Sequence, residues 1–457
     1  MPEITRPPRP QPPTAAAPRR VDLALQGGGS HGAFTWGVLD RLLEDDTVEI
    51  SAISGTSAGA LNAAVLATGY ARGARSGARD ALAAFWHDVS TSGQAFSPFS
   101  LNPTNGGGSN FNFDKLPSYQ WLNSFFRAFS PYEFNPLNLN PLRDVARRHV
   151  DEEALRSCDI PLFITATSVR SGQARVFTGK ELSIDALLAS ACLPLIFQAV
   201  TIDGEAYWDG GYTGNPAIYP LIYNTETLDI LLVKINPLQH EGTPTRSVEI
   251  MDRLSEITFN ASLVAEMRAI AFVSRLVREG KLEPGRYKDL RLHMIADDDG
   301  LAPFNASSKF NTDRVFLDGL FDLGRRAADQ WLKQHRNDIG VRSTLDLERS
   351  FLDKQSSGDT RRSARARPPR PPAAAPAAQA APALLPAPRA ASLAESEPAG
   401  RPPRGEATAA STAVAPPTPS SPKVAPVPPP TAPTPAAAAP RSGLQTLLSR
   451  WMRRPRR

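Results

Sequence analysis

The chain of 457 residues contains only two cysteines, Cys158 and Cys192. Two thiols cannot form a disulfide framework, and neither lies in a C-x-x-C or Cys/His spacing typical of a metal site. We therefore expect both cysteines to be reduced and buried. Nothing in the composition indicates a metal ion or another cofactor.

Long apolar runs are also missing. No segment of about 18 consecutive apolar residues is present, so the sequence predicts no transmembrane helix. Residues 1–20 are rich in proline and lack the apolar core of a signal peptide, and we interpret them as a disordered leader. These absences favour a cytoplasmic protein that contacts membranes only from their surface.

Charge is distributed unevenly along the chain. The formal net charge is +5, but residues 356–457 alone contain 15 basic and 4 acidic residues. The basic excess therefore belongs to the ends, and the central region is acidic overall. We expect no nucleic-acid partner, because the central region lacks the basic excess that such binding requires.

The C-terminal region has a composition of its own, with 23 of the 44 prolines. Residues 356–441 are rich in proline and alanine, cannot bury a core and are predicted to be disordered. Residues 442–457 combine several arginines with apolar residues at helical spacing, namely Leu444, Leu447, Leu448 and Trp451. This basic amphipathic segment suits an anionic membrane surface or a groove on a partner protein.

Residues 21–355 alternate short apolar strands with helices, which favours a parallel sheet with flanking helices in one catalytic domain. The predicted strands cover residues 21–25, 48–53, 160–167, 174–177, 228–235 and 290–295. The predicted helices cover residues 33–43, 60–67, 78–88, 183–192, 245–279 and 312–336. We interpret the aromatic segment 114–129 as a helix or helix pair in the core, and a lid that contacts lipid is the alternative.

The pentapeptide Gly55-Thr56-Ser57-Ala58-Gly59 reads G-x-S-x-G and lies between a predicted strand and a predicted helix. In that context a tight turn raises the serine hydroxyl above the sheet edge, and Gly55 and Gly59 let neighbouring backbone pass. The pattern indicates Ser57 as a nucleophile. A glycine-rich turn without chemistry is the alternative.

A glycine loop, Gln26–Gly32, follows the first predicted strand. Because parallel strands end at the same sheet edge, we expect this loop to converge on Ser57. Its backbone N–H groups are candidate donors to an oxyanion, at Gly27, Gly28, Gly29 and Gly32. The loop also fits the dinucleotide pattern G-x-G-x-x-G, but the acidic residue that would hold a ribose is missing from the end of the second strand.

Asp209-Gly210-Gly211 lies far downstream. Gly210 and Gly211 permit close approach of this loop to Ser57, and a carboxylate within reach would take the serine proton and return it to the leaving group. A Ser–Asp–His triad is the alternative, with three candidate histidines: His240, His293 and His335. His240, just after a predicted strand, is the best placed of them, but we favour surface histidines without a catalytic role for all three.

Together, the motifs Gly27–Gly32, Gly55–Gly59 and Asp209–Gly211 resemble the patatin-like phospholipase family. Ser190–Pro194 is similar to a further stretch of that family, and the resemblance extends over about residues 21–339. It implies a three-layer α/β/α fold with a mainly parallel sheet, and a Ser–Asp dyad that needs neither histidine nor metal. The oxyanion donors would come from the first glycine motif.

The resemblance implies hydrolysis of a lipid acyl ester through an acyl-serine, so a phospholipase A-like lipid acyl hydrolase is the leading hypothesis. The same dyad would serve a carboxylesterase or an intracellular polyester depolymerase. A chain with a silent pocket would instead be a lipid-binding or scaffold protein. Intact Ser57 and Asp209 argue against that last alternative.

One residue departs from the family pattern. The family often has Arg or Lys where this chain has His31, and histidine is mostly neutral at pH 7. A permanent cation at this position would favour an oxyanion or a lipid phosphate. We therefore expect His31→Arg to change the pH profile of hydrolysis.

Overall fold

The computed structural model describes four stretches of the chain, residues 18–96, 111–240, 242–282 and 286–352. The predicted disordered tail and the basic amphipathic segment lie outside the described residues. Most of the predicted leader does too, but its last two residues, Arg19 and Arg20, already belong to a strand.

The described residues form eight strands and eleven α-helices. The strands are β1 (Arg19–Leu25), β2 (Val48–Thr56), β3 (Leu162–Ser168), β4 (Ala174–Thr178), β5 (Val200–Ile202), β6 (Glu205–Asp209), β7 (Asp229–Val233) and β8 (Arg291–Ile295). The helices are α1 (Gly32–Glu44), α2 (Ala58–Phe96), α3 (Pro117–Ala128), α4 (Pro131–Phe134), α5 (Pro141–His149), α6 (Glu152–Ser157), α7 (Ile184–Ser190), α8 (Tyr219–Asn224), α9 (Ser247–Arg278), α10 (Asp298–Leu301) and α11 (Arg314–His335).

All eight strands belong to one sheet, in the order β5-β6-β3-β2-β1-β7-β8, with β4 paired to β3. The pairs from β3 through β2, β1 and β7 to β8 are parallel, and the pairs that involve β4, β5 or β6 are antiparallel. The sheet is therefore mainly parallel. Since β1 and β2 are central neighbours, the glycine loop and Ser57 leave the sheet at the same edge.

Alternate residues of the central strands face two separate cores. On β1, Leu23 and Leu25 belong to a core with α1, α2 and α11, whereas Ala24 belongs to a core with α8 and α9. Because successive side chains of a strand point to opposite faces, helices cover both faces of the sheet. The result is the three-layer α/β/α architecture that the family resemblance implies.

The two helices predicted after Ser57 form the two halves of α2. The break between them lies at Gly73 and Ala74, where Ala74 has a φ of +49°. This backbone conformation is outside the helical region and is uncommon for alanine. Both predicted helical segments are therefore present, joined by an irregular turn.

The aromatic segment predicted as a core helix forms α3, but most of that helix lies outside the core. Tyr119 is its one buried residue, and Trp121 is 66% exposed. The rings pack on one another instead, with centroid distances of 5.5 Å for Trp121–Phe125 and 5.6 Å for Phe125–Phe134. The core prediction was wrong because apolar spacing does not tell which surface a helix packs on.

Helix α9 meets the length and composition criteria for a membrane span. The mean hydropathy of its most apolar window of 18 residues is 1.2, and 28% of that window is buried. Core helices of globular proteins meet the same criteria, and α9 contributes Leu263, Met267 and Ile270 to the second core. The helix is therefore weak evidence for a membrane span.

Candidate active site

Ser57 occupies the tight turn between β2 and α2. Its φ is +54°, in the left-handed region that residues other than glycine rarely adopt. The flanking glycines are tightly packed: a Cβ at Gly55 would lie 2.7 Å from the carbonyl oxygen of Gly59, and a Cβ at Gly59 would collide with the carbonyl of Leu25. This is the geometry of a nucleophile elbow, with a partly exposed serine directly after a buried strand.

Gly27 lies directly against Ser57. A Cβ added to Gly27 would lie 2.6 Å from the Cβ of Ser57 and 2.7 Å from the carbonyl oxygen of Thr56, so a side chain cannot be placed there. The N–H of Gly27 donates to Asn215 Oδ1 over 2.6 Å. Gly27 was predicted as an oxyanion donor. Because its N–H is already bonded to Asn215, this group holds the loop in place instead.

The other predicted donors, Gly28, Gly29 and Gly32, differ in whether their N–H groups are available to a ligand. The N–H of Gly32 donates to the carbonyls of Gly29 and Ser30 at the start of α1, so it is not available to a ligand. Within the part of the chain that the structure describes, the N–H groups of Gly28 and Gly29 make no hydrogen bond. Gly29 also has a φ of +58°, which favours glycine. Two adjacent N–H groups of the loop are therefore available to an oxyanion.

Asp209 ends β6 and is 1% exposed. The N–H of Gly211 donates to its Oδ1 over 2.7 Å. Burial raises the pKa of Asp209 to about 7, although the Gly211 N–H, the Ser57 side chain and the charge of Lys309 act to lower it. The structure thus brings together Ser57 and Asp209, which are far apart in the sequence.

The glycines after Asp209 lie at close contacts. A Cβ at Gly210 would collide with the carbonyl oxygen of Thr165 on β3, and a Cβ at Gly211 would collide with the ring of Phe259 on α9. Both residues therefore let the Asp209 turn sit between the sheet and α9.

Ser190, the last residue of α7, is fully buried beside this turn. Its Oγ accepts a hydrogen bond from the N–H of Ser57 over 2.9 Å and donates to the carbonyl of Thr165 over 2.6 Å. Sequence reasoning identified the stretch that contains Ser190 but assigned no role to it. Its link to Ser57 exists only in the folded chain.

Three buried amide side chains hold the glycine loop, and sequence reasoning missed all of them. Asn236 Nδ2 donates to the carbonyl of Gly27 over 2.7 Å, opposite the bond from the Gly27 N–H to Asn215. Gln26 Nε2 donates to the carbonyl of Asn215, and Gln26 Oε1 accepts from the N–H groups of Ile235 and Asn236. The one local indication that an amide would support the site was that Asn215 lies six residues after the predicted base Asp209.

His31 does not supply a cation to this site. It is 3% exposed, its Nε2 lies 2.7 Å from Ser308 Oγ, and its ring packs on Phe304 and Phe316. Burial, together with the charge of Lys309, lowers the pKa of His31 to about 3. The side chain is therefore neutral at pH 7.

The histidines of the alternative triad lie elsewhere. His293 Nε2 is 3.1 Å from Asp229 Oδ1, at the start of β7 and so at the opposite end of the strands from Ser57. His335 Nδ1 is 3.1 Å from Asp338 Oδ2 at the end of α11. His240 is an exposed residue after β7. In the described residues, no histidine hydrogen-bonds to Ser57 or Asp209.

The cysteines take no part in this arrangement as nucleophiles. Cys192 is buried next to Asp209, whose N–H donates to the Cys192 carbonyl, and burial raises the pKa of its thiol to about 12. Cys158, which was also predicted to be buried, is partly exposed. Within the described residues, no three His, Cys, Asp or Glu side chains form a group that could hold a metal ion.

The comparisons with known proteins agree with this arrangement of motifs. Residues 23–222, which include the glycine loop, Ser57 and Asp209, match the family model described as Patatin-like phospholipase. This part of the chain belongs to the patatin-like phospholipase family. Membership supports lipid hydrolase activity in general.

Individual relatives are distant. An uncharacterized protein of Acanthamoeba polyphaga mimivirus is 23% identical over 326 residues, which cover 68% of this chain and 92% of that protein. VipD from Legionella pneumophila is 14% identical, with 74% of this chain and 73% of VipD covered and a TM-score of 0.30. A chain of the SpcU–ExoU complex of Pseudomonas aeruginosa is 15% identical, with 74% and 77% covered and a TM-score of 0.24. The family assignment rests on the family model.

Proposed function

We propose that this chain is a serine hydrolase that cleaves acyl ester bonds of lipids, with Ser57 as the nucleophile and Asp209 as the general base. The observation that carries the proposal is the proximity of the Ser57 side chain to the buried Asp209 carboxylate, whose pKa it acts to lower, beside two available N–H groups of the glycine loop. Membership of the patatin-like phospholipase family supports lipid hydrolysis in general. The dyad and the ester of a lipid as substrate are our proposal.

In the acylation step, Ser57 Oγ forms a bond to the ester carbonyl carbon while Asp209 takes the hydroxyl proton. The carbonyl electron pair moves to oxygen, and the N–H groups of Gly28 and Gly29 donate to the resulting oxyanion. When the oxyanion collapses, the C–O bond to the alcohol breaks and protonated Asp209 returns its proton to the leaving oxygen. The products are an acyl-serine and the free alcohol.

Deacylation repeats these steps with water. Asp209 takes a proton from a water molecule whose oxygen bonds to the acyl carbon, and the same N–H groups stabilise the second oxyanion. Collapse breaks the bond to Ser57 Oγ, which regains its proton from Asp209. The carboxylic acid leaves, and the dyad is restored.

The pKa of Asp209 suits a base at neutral pH. A general base works best with a pKa near the working pH, and burial raises the pKa of Asp209 to about 7. Since the ionised form is the base, kcat/KM should rise with pH through about pH 7 on its acid limb.

The test compares wild type with Ser57→Ala and Asp209→Asn in release of p-nitrophenol from short-chain esters and of fatty acid from phospholipid vesicles. Each substitution should lower kcat by about 1,000-fold or more, because it removes a partner of one chemical step. Ser124→Ala, on the surface of α3, is the matched control. Hydrolysis at the wild-type rate by both dyad variants would show that the assignment is wrong.

A fluorophosphonate probe tests the nucleophile separately, since it should label wild type and not Ser57→Ala. The two substrates also separate the alternatives. Hydrolysis of the short esters alone would favour a carboxylesterase or polyester depolymerase, and no labelling together with vesicle binding would favour a lipid-binding protein.

We further propose residues 21–355 as the catalytic domain and residues 442–457 as a site of contact with anionic membranes. Co-sedimentation with anionic vesicles at low salt, for the full chain and a chain that ends at Gln355, tests the second proposal. Equal binding by both chains would exclude a role for the terminal segment.

A further inference from the structure

Lys309 approaches the glycine loop directly at Gly29 and acts on it indirectly through Asn236. It lies in the short turn Ala306–Phe310, where its carbonyl oxygen would collide with a Cβ at Gly29. Its ammonium donates to Asn236 Oδ1 over 2.8 Å, and Asn236 Nδ2 donates to the carbonyl of Gly27 over 2.7 Å. Backbone and side chain of one lysine therefore support both ends of the segment that carries the candidate oxyanion donors.

The charges of three carboxylates act on the Lys309 ammonium, namely Asp209 at the end of β6 and Asp252 and Glu256 on α9. Burial lowers the pKa of the ammonium, and these three carboxylates act to raise it. Glu256 is also paired with Arg253, whose Nη1 lies 2.9 Å from its Oε2. Burial and the charge of Glu256 raise the pKa of Asp252 to about 6.

Lys309 differs from the other neighbours of Asp209 in its positive charge. The N–H of Gly211 donates to Asp209, and the Ser57 side chain acts to lower the pKa of that carboxyl. Cys192 and Tyr212 are neutral neighbours whose thiol and phenol pKa values are both raised to about 12 by burial. In the described part of the chain, Lys309 is the cation whose charge acts on Asp209.

We propose that Lys309 is a positioning residue for the reaction, which holds the glycine loop through Asn236 and supplies a positive charge that acts on the Asp209 carboxylate. This inference rests on the proposed function of Ser57 and Asp209. It also accounts for the missing cation of the glycine motif. His31 is neutral and lies against Ser308, whereas Lys309 brings a positive charge to the same loop from a late segment of the chain.

The consequence for catalysis is a shift of the acid limb of the pH profile of kcat/KM. Lys309 favours the ionised form of Asp209, so its replacement by a neutral side chain raises the pKa of the base. More alkaline conditions are then needed to ionise Asp209. A lysine that only filled space would leave the limb where it is.

The experiment measures kcat/KM for a p-nitrophenyl ester from pH 5 to pH 9, read at the isosbestic wavelength of nitrophenol, on the full chain. Lys309→Gln and Lys309→Met should move the acid limb up by about 1 pH unit. Lys309→Arg, which keeps the charge, should stay within about 0.3 unit of wild type. Lys333→Gln, an exposed lysine paired with Asp329, is the control and should not move the limb.

If Lys309→Gln or Lys309→Met folds and its kcat/KM has the same acid limb as wild type, the inference is wrong. If neither neutral variant folds, Lys309→Ala, a smaller neutral replacement, takes their place: a limb raised by about 1 unit supports the role of the charge, and an unmoved limb overturns it. Failure of the proposed function looks different, since wild type would then not react with the fluorophosphonate probe. Labelled, active wild type with an unmoved limb in the neutral variants rejects the Lys309 inference alone.

Discussion

The backbone N–H of Ser57 donates to the side-chain oxygen of Ser190 over 2.9 Å. Ser190 Oγ in turn donates to the carbonyl of Thr165 on β3, the strand that pairs with β6 and so with Asp209. The turn of the candidate nucleophile is thus tied to the strand next to its candidate base. The same bond removes the Ser57 N–H from the set of available oxyanion donors.

Replacement of Ser190 by alanine should lower kcat about 10-fold to 100-fold with little change in KM. The part-buried N–H of Ser57 would lose its partner, at a cost of about 1 to 3 kcal/mol, and the left-handed turn would lose its anchor. Steady-state kinetics on a short ester measures both constants. Ser157→Ala, which removes an exposed hydroxyl, is the control, and wild-type kcat in Ser190→Ala would contradict the positioning role.

Gly27→Ala should lower the rate about 100-fold because the new Cβ would lie 2.6 Å from the Cβ of Ser57. Either the loop or the turn must shift, and a displacement of the reacting groups by about 1 Å can cost about 100-fold in rate. Gly319→Ala on α11, where a Cβ would meet no atom within 4 Å, is the matched control. Activity assays and melting curves of both variants separate a local effect from unfolding. A fully active Gly27→Ala variant would show that the loop is not in place against Ser57 during catalysis.

Acid should weaken the fold through Asp229, at the far end of the sheet from Ser57. Burial acts to raise the pKa of Asp229, but hydrogen bonds from His293, Arg291 and the N–H of Gly340 lower it to about 2. Because the folded pKa lies below the unfolded value, the carboxylate stabilises the fold above about pH 4. That contribution of about 2 kcal/mol is lost as the pH falls towards 2.

Urea unfolding at pH 7 and pH 3 tests this effect. Asp229→Asn should be less stable than wild type by about 2 kcal/mol at pH 7, and the difference should shrink at pH 3. Asp46→Asn, an exposed aspartate, serves as the control. A difference that is the same at both pH values would contradict the role of the Asp229 charge.

The surroundings of His31 change the expectation for that residue. Its imidazole is buried among Ser308, Phe304 and Phe316 and is neutral, so His31→Gln should leave the acid limb of kcat/KM unchanged. His31→Arg should lower the melting temperature, because it places a charge in an apolar enclosure. The pH profile and melting curve of each variant check these outcomes. An acid limb that moves in His31→Gln would restore an electrostatic role for His31.

Much of the framework was predictable from local pattern. Strand and helix periodicity placed β1, β2, β3, β7, α9 and α11 to within a few residues, and the three motifs indicated a patatin-like domain that the family model confirms for residues 23–222. Local pattern failed where packing partners matter. Trp121 and Phe125 have core-like spacing, yet they pack on neighbouring rings at the surface.

The sequence by itself determined that Ser57, Asp209 and a glycine loop exist in an order and context that indicate a hydrolase. Only the tertiary structure decided which N–H groups of that loop are available, because the N–H of Gly27 is taken by Asn215 and the N–H of Gly32 by its own helix start. It also decided that the cation beside the loop is Lys309 and not residue 31. Hydrogen-bond partners and buried charges depend on chain segments about 190 to 280 residues apart, and no local pattern records which of those segments meet.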